Sequence, residues 1–230
     1  MTKLVVLSDI HYRKGDYKIF SKIKELLKRD EFKKVIFLGD TFDFFFEFKG
    51  KFYKKENIDL LDFLKDISKD YEIFFIRGNH DIFLGKGFKE ITGCKDVVDR
   101  LYFDYDWGKV LLTHGHLLKN DSMLKKFFYF ILENKFDRFL FSLLPESLGY
   151  RVGILVSNLC NLRRVDKKEK MKKLEESFKK NFEKDFQKIV VGHYHLDFVS
   201  EDKRIYALSD FKENGSYIVI DEKGVFLEHF

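Results

Sequence analysis

The chain has 230 residues, with 43 lysines and arginines against 38 aspartates and glutamates, a net charge of +5, 45% hydrophobic residues and 17% aromatic residues. That length makes one ordinary domain, which buries roughly 70% of its unfolded surface and needs no disulfide staple. With charged residues at 35% and a single proline, disordered and collagen-like classes are excluded, and the modest positive charge permits an anionic partner without naming one.

In chain order, the apolar opening Met1 to Leu7 is too short for a signal peptide, and no run approaches the roughly 18 apolar residues that span a bilayer. Lys3 to Leu7, Lys34 to Leu38 and Glu72 to Ile76 read instead as buried strands. Between the first two, Tyr17 to Arg29 carries Ile19, Phe20, Ile23, Leu26 and Leu27 at helical spacing, with Asp16 placed to cap it. Between the next two, Asn57 is placed to cap a helix running to Ile67, whose apolar face is Leu60, Leu61, Leu64 and Ile67. Strand and helix in alternation imply a parallel sheet with right-handed crossovers.

Lys109 to Thr113 and Lys188 to Val191 are two further strands. The stretch between them, from about Ser122 to Asp185, is helical and reads as an insertion within one domain spanning residues 1–230. Its last piece, Asp166 to Lys184, sets Met171, Leu174, Phe178 and Phe182 on one face, as expected of a helix packed on the sheet. From Asp197 onward, short strands at Phe198-Val199, Arg204 to Leu208, Tyr217 to Ile220 and Val225 to Leu227 read as antiparallel hairpins. Cys94 and Cys160 form no disulfide framework and no Cys-x-x-Cys pair, which fits a reduced, cytoplasmic setting.

Six of the seven histidines fall directly after predicted strands: His11, His80, His114, His116, His193 and His195. The same strand ends carry Asp9, Asp40, Asp43, Asn79 and Asp81. In an α/β sheet the carboxyl ends of neighbouring strands share one edge, where ligands bind, so these groups are expected to converge. Asp9, His11, Asp40, Asn79, His114, His193 and His195 are too many donors for one tetrahedral ion and suit two ions sharing a carboxylate, the usual apparatus for displacement at phosphorus. Imidazole and carboxylate without thiolate favour Mn, Fe, Co or Zn over Ca or Mg. Each fragment alone is weak, since Asp-x-His and Gly-Asp commonly occur in ordinary turns. Their order and strand context carry the reading.

The ordered set Asp9-x-His11, Gly39-Asp40-x-x-Asp43, Gly78-Asn79-His80-Asp81, Thr113-His114-Gly115-His116 and Gly192-His193-x-His195 resembles the calcineurin-like metallophosphoesterase family over residues 9 to 195. The resemblance implies a four-layer α/β/β/α sandwich with two divalent ions at its edge, Mn2+ expected and Fe, Co or Zn the alternatives. It assigns Asp9, His11 and His195 to one ion, Asn79, His114 and His193 to the other, and Asp40 to the bridge. Two such cations lower the pKa of a shared water so that hydroxide attacks phosphorus near neutral pH. The resemblance makes His80 the imidazole that protonates or stabilises the leaving oxygen, held by Asp43. His116 is open between supporting the ligands and touching substrate.

A helical cap at residues 117–165 follows His114 directly. Met123, Leu124, Phe127 to Leu132, Phe136, Phe139, Leu140, Phe141, Leu143 and Leu144 surround most of the helix circumference, more than one packed face requires. The surplus could line a pocket for acyl chains, touch a membrane, form a dimer contact, or simply be buried within the cap. Lys125, Lys126, Lys135, Arg138 and Arg151 among them suit a peripheral contact with anionic headgroups on the inner face of a membrane.

With the cap, Gly39-Asp40-Thr41-Phe42-Asp43-Phe44 is similar to the UDP-2,3-diacylglucosamine pyrophosphatases of lipid A synthesis. That resemblance implies a lipid-linked nucleotide diphosphate as substrate, giving UMP and the lipid 1-phosphate, with no nucleic acid partner. It is departed from at His80 and His116, where that subfamily commonly has Arg and Asp. Arg163 and Arg164 are candidates for a diphosphate clamp. Two other classes compete: a generic phosphodiesterase or nuclease, helped by a pI near 8.9, and a non-catalytic scaffold of the same fold. The full set of ligand-type residues argues against the scaffold, and the Phe-rich cap against access by a duplex.

Overall fold

Alternation along the central strands sends successive side chains to opposite faces, and that alternation builds the layers. The computed structural model describes residues 3–49, 51–52, 55–81, 83–116, 135–160, 167–182 and 184–230. In β1 (Leu4–Leu7), Val5 and Leu7 point to one buried cluster and Leu4 and Val6 to another. In β2 (Lys34–Leu38) the division falls between Val35 and Phe37 on one side and Ile36 and Leu38 on the other.

The first cluster is the contact of the sheet with α1 (Lys18–Lys28), α2 (Ile58–Ile67) and α3 (Lys86–Thr92), through residues such as Ile23, Leu64 and Phe88. The second cluster lies between two sheets. It joins Leu4, Val6, Ile36, Leu38 and Ile76 to Val110 and Leu112 of β8 (Gly108–Thr113) and Val190 of β9 (Lys188–Val191). The outer side of this second sheet is covered by a helix of residues Lys167–Asn181, whose Leu174 and Phe178, with Phe182 just beyond it, pack on Leu111, Ile189 and Val191. The four layers α/β/β/α follow.

The first sheet runs β13-β12-β1-β2-β5-β6, with β5 (Glu72–Ile76), β6 (Asp96–Val98), β12 (Ser216–Asp221) and β13 (Gly224–His229). β1, β2, β5 and β6 are mutually parallel, as the alternating strand and helix pattern requires. The second runs β10-β11-β9-β8-β7, with β7 (Arg100–Tyr105), β10 (Phe198–Val199) and β11 (Ile205–Ala207). A two-stranded ribbon, β3 (Glu47–Phe48) and β4 (Lys51–Phe52), completes the described sheets.

Three expectations are corrected. The C-terminal part is not wholly antiparallel: the hairpins β10–β11 and β12–β13 are, but β11 pairs in parallel with β9. Asp16 does not cap α1, because its carboxylate accepts the Arg13 N–H at 3.1 Å and the Lys212 ammonium at 2.6 Å. Asn57 does not cap α2 through its side chain, which donates instead to the Phe44 carbonyl at 3.0 Å.

Of the cap, α4 (Lys135–Ser142) and α5 (Glu146–Cys160) are described, and the helix Lys167–Asn181 is α6. Residues 117–134 and 161–165, including Met123 to Leu132, Arg163 and Arg164, lie outside the described residues. Phe141, Tyr150 and Ile154 pack on Phe44, Phe46 and Phe83, so these two helices rest on the loop after β2. Phe136, Phe139, Leu140 and Leu143 are exposed, while Arg138 turns inward and donates to the Glu47 carbonyl at 2.8 Å. No helix among the described residues is long and apolar enough to cross a membrane.

Candidate metal centre

The loops after β1, β2, β5, β8 and β9 meet at one rim because backbone pairing continues beyond the strands. Asp9 N–H donates to the Gly39 carbonyl and His11 N–H to that of Asp40, Phe45 N–H reaches the His80 carbonyl, and Gly192 N–H the His114 carbonyl. Close approach depends on glycine. A Cβ on Gly39, where φ is +81°, would lie 2.4 Å from the His114 ring, and one on Gly78 would lie 2.1 Å from Asp40 Oδ1.

Seven described non-glycine residues have positive φ, and five of them are Asp9, His11, Asp40, His193 and His195. Each such residue costs on the order of 1 kcal/mol. Concentrating that cost on five candidate ligands marks the rim as shaped for something other than stability.

Asp9, Asp40, His114 and His195 each have one atom fixed by the protein and another turned inward. Asp9 Oδ2 accepts from Ser8 Oγ at 2.6 Å and from His193 N–H at 3.0 Å, while Oδ1 is buried with no hydrogen-bond partner. Asp40 Oδ1 accepts from His80 N–H at 2.9 Å, and Oδ2 faces His114 Nε2 at 3.2 Å and His11 Nε2 at 3.9 Å. His114 Nδ1 lies 2.8 Å from the Leu38 carbonyl, and because a carbonyl only accepts, Nδ1 carries a proton and Nε2 is the ring atom turned toward Asp40. His195 Nδ1 meets Asp210 Oδ1 at 2.7 Å, leaving Nε2 3.6 Å from Asp9 Oδ1. Asn79 Oδ1 is buried and also lacks a hydrogen-bond partner.

These inward atoms gather into three overlapping groups, Asp9-His11-His195, Asp40-His114-His193 and His11-Asp40-His80, each with all its atoms within 4.8 Å. Separations of 3.2 to 3.9 Å between nitrogen and oxygen suit donors sharing an ion at about 2.1 Å from each. The donor set fits divalent metal, and Asp40 belongs to two of the three groups.

The charges agree. Burial pushes Asp40 up, yet His114, His80 and His11 outweigh it and hold its carboxyl well below the usual range. Burial pulls His114 down, but Asp40, Asp9 and the Leu38 carbonyl leave it at about 10. Asp40 and His114 therefore stabilise each other's charges where ligand atoms converge, while burial lowers His11 beside them. Burial and the Asp40 carboxylate raise Asp81 to about 6, and its oxygens tie two loops by accepting from Gly78 N–H at 2.6 Å and Thr41 N–H at 2.8 Å.

His80 Nδ1 lies 2.8 Å from the Asp43 main-chain carbonyl, which fixes the proton on Nδ1 and directs Nε2 toward Asp40 Oδ2 at 4.0 Å. This contact is made by the carbonyl of Asp43. The Asp43 carboxylate accepts from Arg13 Nε at 2.7 Å and stands 3.8 Å from His11 Nδ1. His116 is buried beside His114 and His193, with ring centroids 5.4 and 6.4 Å away, and burial first, then the charge at His114, lowers it to about 3.

Ser8, Arg13 and Asp210 were not anticipated. Asp210 follows β11 by three residues, the same signal that identified the other donors, but a strand read as half of a hairpin did not point to this rim.

The sequence profile of the calcineurin-like phosphoesterases matches residues 2–219. The chain is 23% identical to the UDP-2,3-diacylglucosamine hydrolase of Haemophilus influenzae (strain PittGG), over 96% of this chain and 95% of that protein. It is 26% identical to that of Aliivibrio fischeri (strain MJ11), over 83% and 82% respectively. Among solved structures, a novel archaeal phosphodiesterase aligns over 99% of both chains with a TM-score of 0.48 and 14% identity.

Proposed function

The chain belongs to the calcineurin-like phosphoesterase family, and on that premise we propose that it is a dinuclear-metal pyrophosphatase converting UDP-2,3-diacylglucosamine to UMP and 2,3-diacylglucosamine 1-phosphate. The observation that carries the chemistry is Asp40 Oδ2, turned to His114 on one side and His11 on the other while Oδ1 is held by backbone. The substrate reading draws on the relatives whose named activity is UDP-2,3-diacylglucosamine hydrolysis.

In this reading Asp9, His11 and His195 would hold one ion, Asn79, His114 and His193 the other, and Asp40 both, with Mn2+ the expected metal. When bound, the ions supply a water of lowered pKa and neutralise the phosphate oxygens it approaches. The protein's own contribution is orientation. Ser8 and the His193 N–H fix Asp9, Asp210 fixes His195, and the Leu38 carbonyl fixes His114. His80, with its Nδ1 proton committed to the Asp43 carbonyl, turns Nε2 inward as the atom that protonates or stabilises the leaving oxygen.

His116 serves the substrate side of the site, and Arg163 and Arg164 remain candidates for the clamp. The exposed Phe136, Phe139, Leu140 and Leu143 support a cap over residues 117–165 that receives acyl chains. We assign the enzyme to the cytoplasm, peripheral on the inner face of an anionic membrane, because its substrate is a lipid.

Incubation of the purified protein with Mn2+ and UDP-2,3-diacylglucosamine should release UMP. Hydrolysis of DNA or small phosphodiesters without UMP release would transfer the assignment to a general phosphodiesterase or nuclease. Failure with every activated phosphodiester under Mn, Fe, Co and Zn would revive the scaffold.

A further inference from the structure

Arg13 lies two residues beyond His11, on the rim. Its Nε donates to Asp43 Oδ2 at 2.7 Å, the other oxygen of that carboxylate stands 3.8 Å from His11 Nδ1, and Asp43 is buried. The arginine side chain is nevertheless 64% exposed. A guanidinium carries five N–H donors in a rigid fork. One is committed to Asp43, and the four on Nη1 and Nη2 have no acceptor among the described residues.

An arginine serving only to neutralise a buried carboxylate would present two parallel N–H groups to its two oxygens. Here the contact is single and side-on, and Oδ1 is turned to His11 instead. Asp43 thus links the guanidinium, through Nε, to the His11 ring of the ion-binding group and leaves the terminal fork uncommitted. Tyr150, on α5, packs against Phe44 with ring centroids 6.1 Å apart. Burial, Asp43 and Glu56 raise its phenol to about 12 against the opposing charge of Arg13, so the hydroxyl keeps its proton and can donate.

We propose that Arg13 recognises the second, non-reacting phosphoryl group of a pyrophosphate substrate: anchored through Nε, it offers its Nη fork to that group, with the Tyr150 hydroxyl as the accompanying donor. The inference deepens the pyrophosphatase reading and rests on it. A phosphodiester with a single phosphorus engages the ions alone. A pyrophosphate adds a second anionic group one bridging oxygen away, and the fork next to His11 is the cation that meets it.

The test is calorimetric titration of the Mn2+-loaded protein with UDP and with UMP. Wild-type protein should bind UDP more tightly than UMP. Arg13→Ala should weaken UDP about 10- to 100-fold, the loss of charge-assisted hydrogen bonds, and UMP less than about threefold, with metal stoichiometry unchanged. Arg13→Lys should recover only part of the loss, because an ammonium lacks the fork. Tyr150→Phe should weaken UDP by less than Arg13→Ala does. Equal weakening of both nucleotides, no weakening of either, or a wild-type protein with no preference for UDP would overturn the proposal. The substrate reading is judged separately by UMP release: loss of UDP selectivity in Arg13→Ala would stand even if the diacylglucosamine substrate proved wrong, and intact selectivity in that variant would refute Arg13 even if UMP were released.

Discussion

Asp210→Asn isolates one orienting contact at the metal centre. The substitution keeps the shape and an acceptor oxygen but removes the charge opposite His195 Nδ1, 2.7 Å away. A hydrogen bond to a charged group is worth about 1.5–3 kcal/mol, and the 42% and 19% exposure of the two side chains calls for the lower end. At about 1.5–2 kcal/mol, metal affinity on the side of Asp9, His11 and His195 should fall roughly 10- to 30-fold. The side of Asp40, Asn79, His114 and His193 shares no contact with Asp210 and should keep its affinity. Equilibrium dialysis against increasing Mn2+ would then show two nearly coincident binding steps in wild type and two separated steps in the variant. The reasoning is refuted if both steps stay within twofold of wild type, or if both shift together.

His80→Ala should lower kcat about 10²- to 10⁴-fold on the lipid substrate while two metal equivalents are retained, measured by turnover and elemental analysis; unchanged turnover would remove His80 from the chemistry. Gly78→Ala puts a methyl 2.1 Å from Asp40 Oδ1 and 2.3 Å from its backbone nitrogen, so denaturant unfolding should show a loss of about 1–3 kcal/mol or more, with reduced metal uptake. A wild-type midpoint with two bound metals would contradict that geometry. Asp30, bonded to Lys3, and Glu72, bonded to Lys34, are both held below their ordinary pKa values by those bonds. The folded value is the lower one, so their stabilisation is complete above the unfolded values of about 3.9 and 4.3 and is lost as pH falls through the folded values. Urea midpoints measured from pH 5 to pH 2 should therefore fall less steeply in a double variant Asp30→Asn, Glu72→Gln than in wild type, and equal slopes would count against these pairs.

The layers and most of the rim were legible because the signals are local. Val35, Ile36, Phe37 and Leu38 are all buried, and a continuous apolar run ending in Gly39-Asp40 marks both a strand and the loop that leaves it. What was not legible depends on distant partners. The seven-residue α3 draws the N–H groups of Gly85, Gly87 and Phe88 to the carboxylate of Glu47, nearly forty positions earlier. β7 lies at a sheet edge, and its exposed Arg100, Tyr102 and Asp104 weaken the apolar pattern a buried strand shows. The side chain of Asp16 is a sound cap by type and position, but Lys212, almost two hundred residues away, competes for it. Asp210 was hidden by topology, since nothing in Ile205 to Ala207 announces that its partner on one side is the parallel β9.

Anomalous diffraction from crystals grown with Mn2+ tests the two-ion account most directly. Two peaks are expected at the rim, one bounded by Asp9, His11 and His195 and the other by Asn79, His114 and His193, with Asp40 touching both. A single peak held by His11, Asp40 and His80, or no peak at the rim at saturating Mn2+, would contradict it.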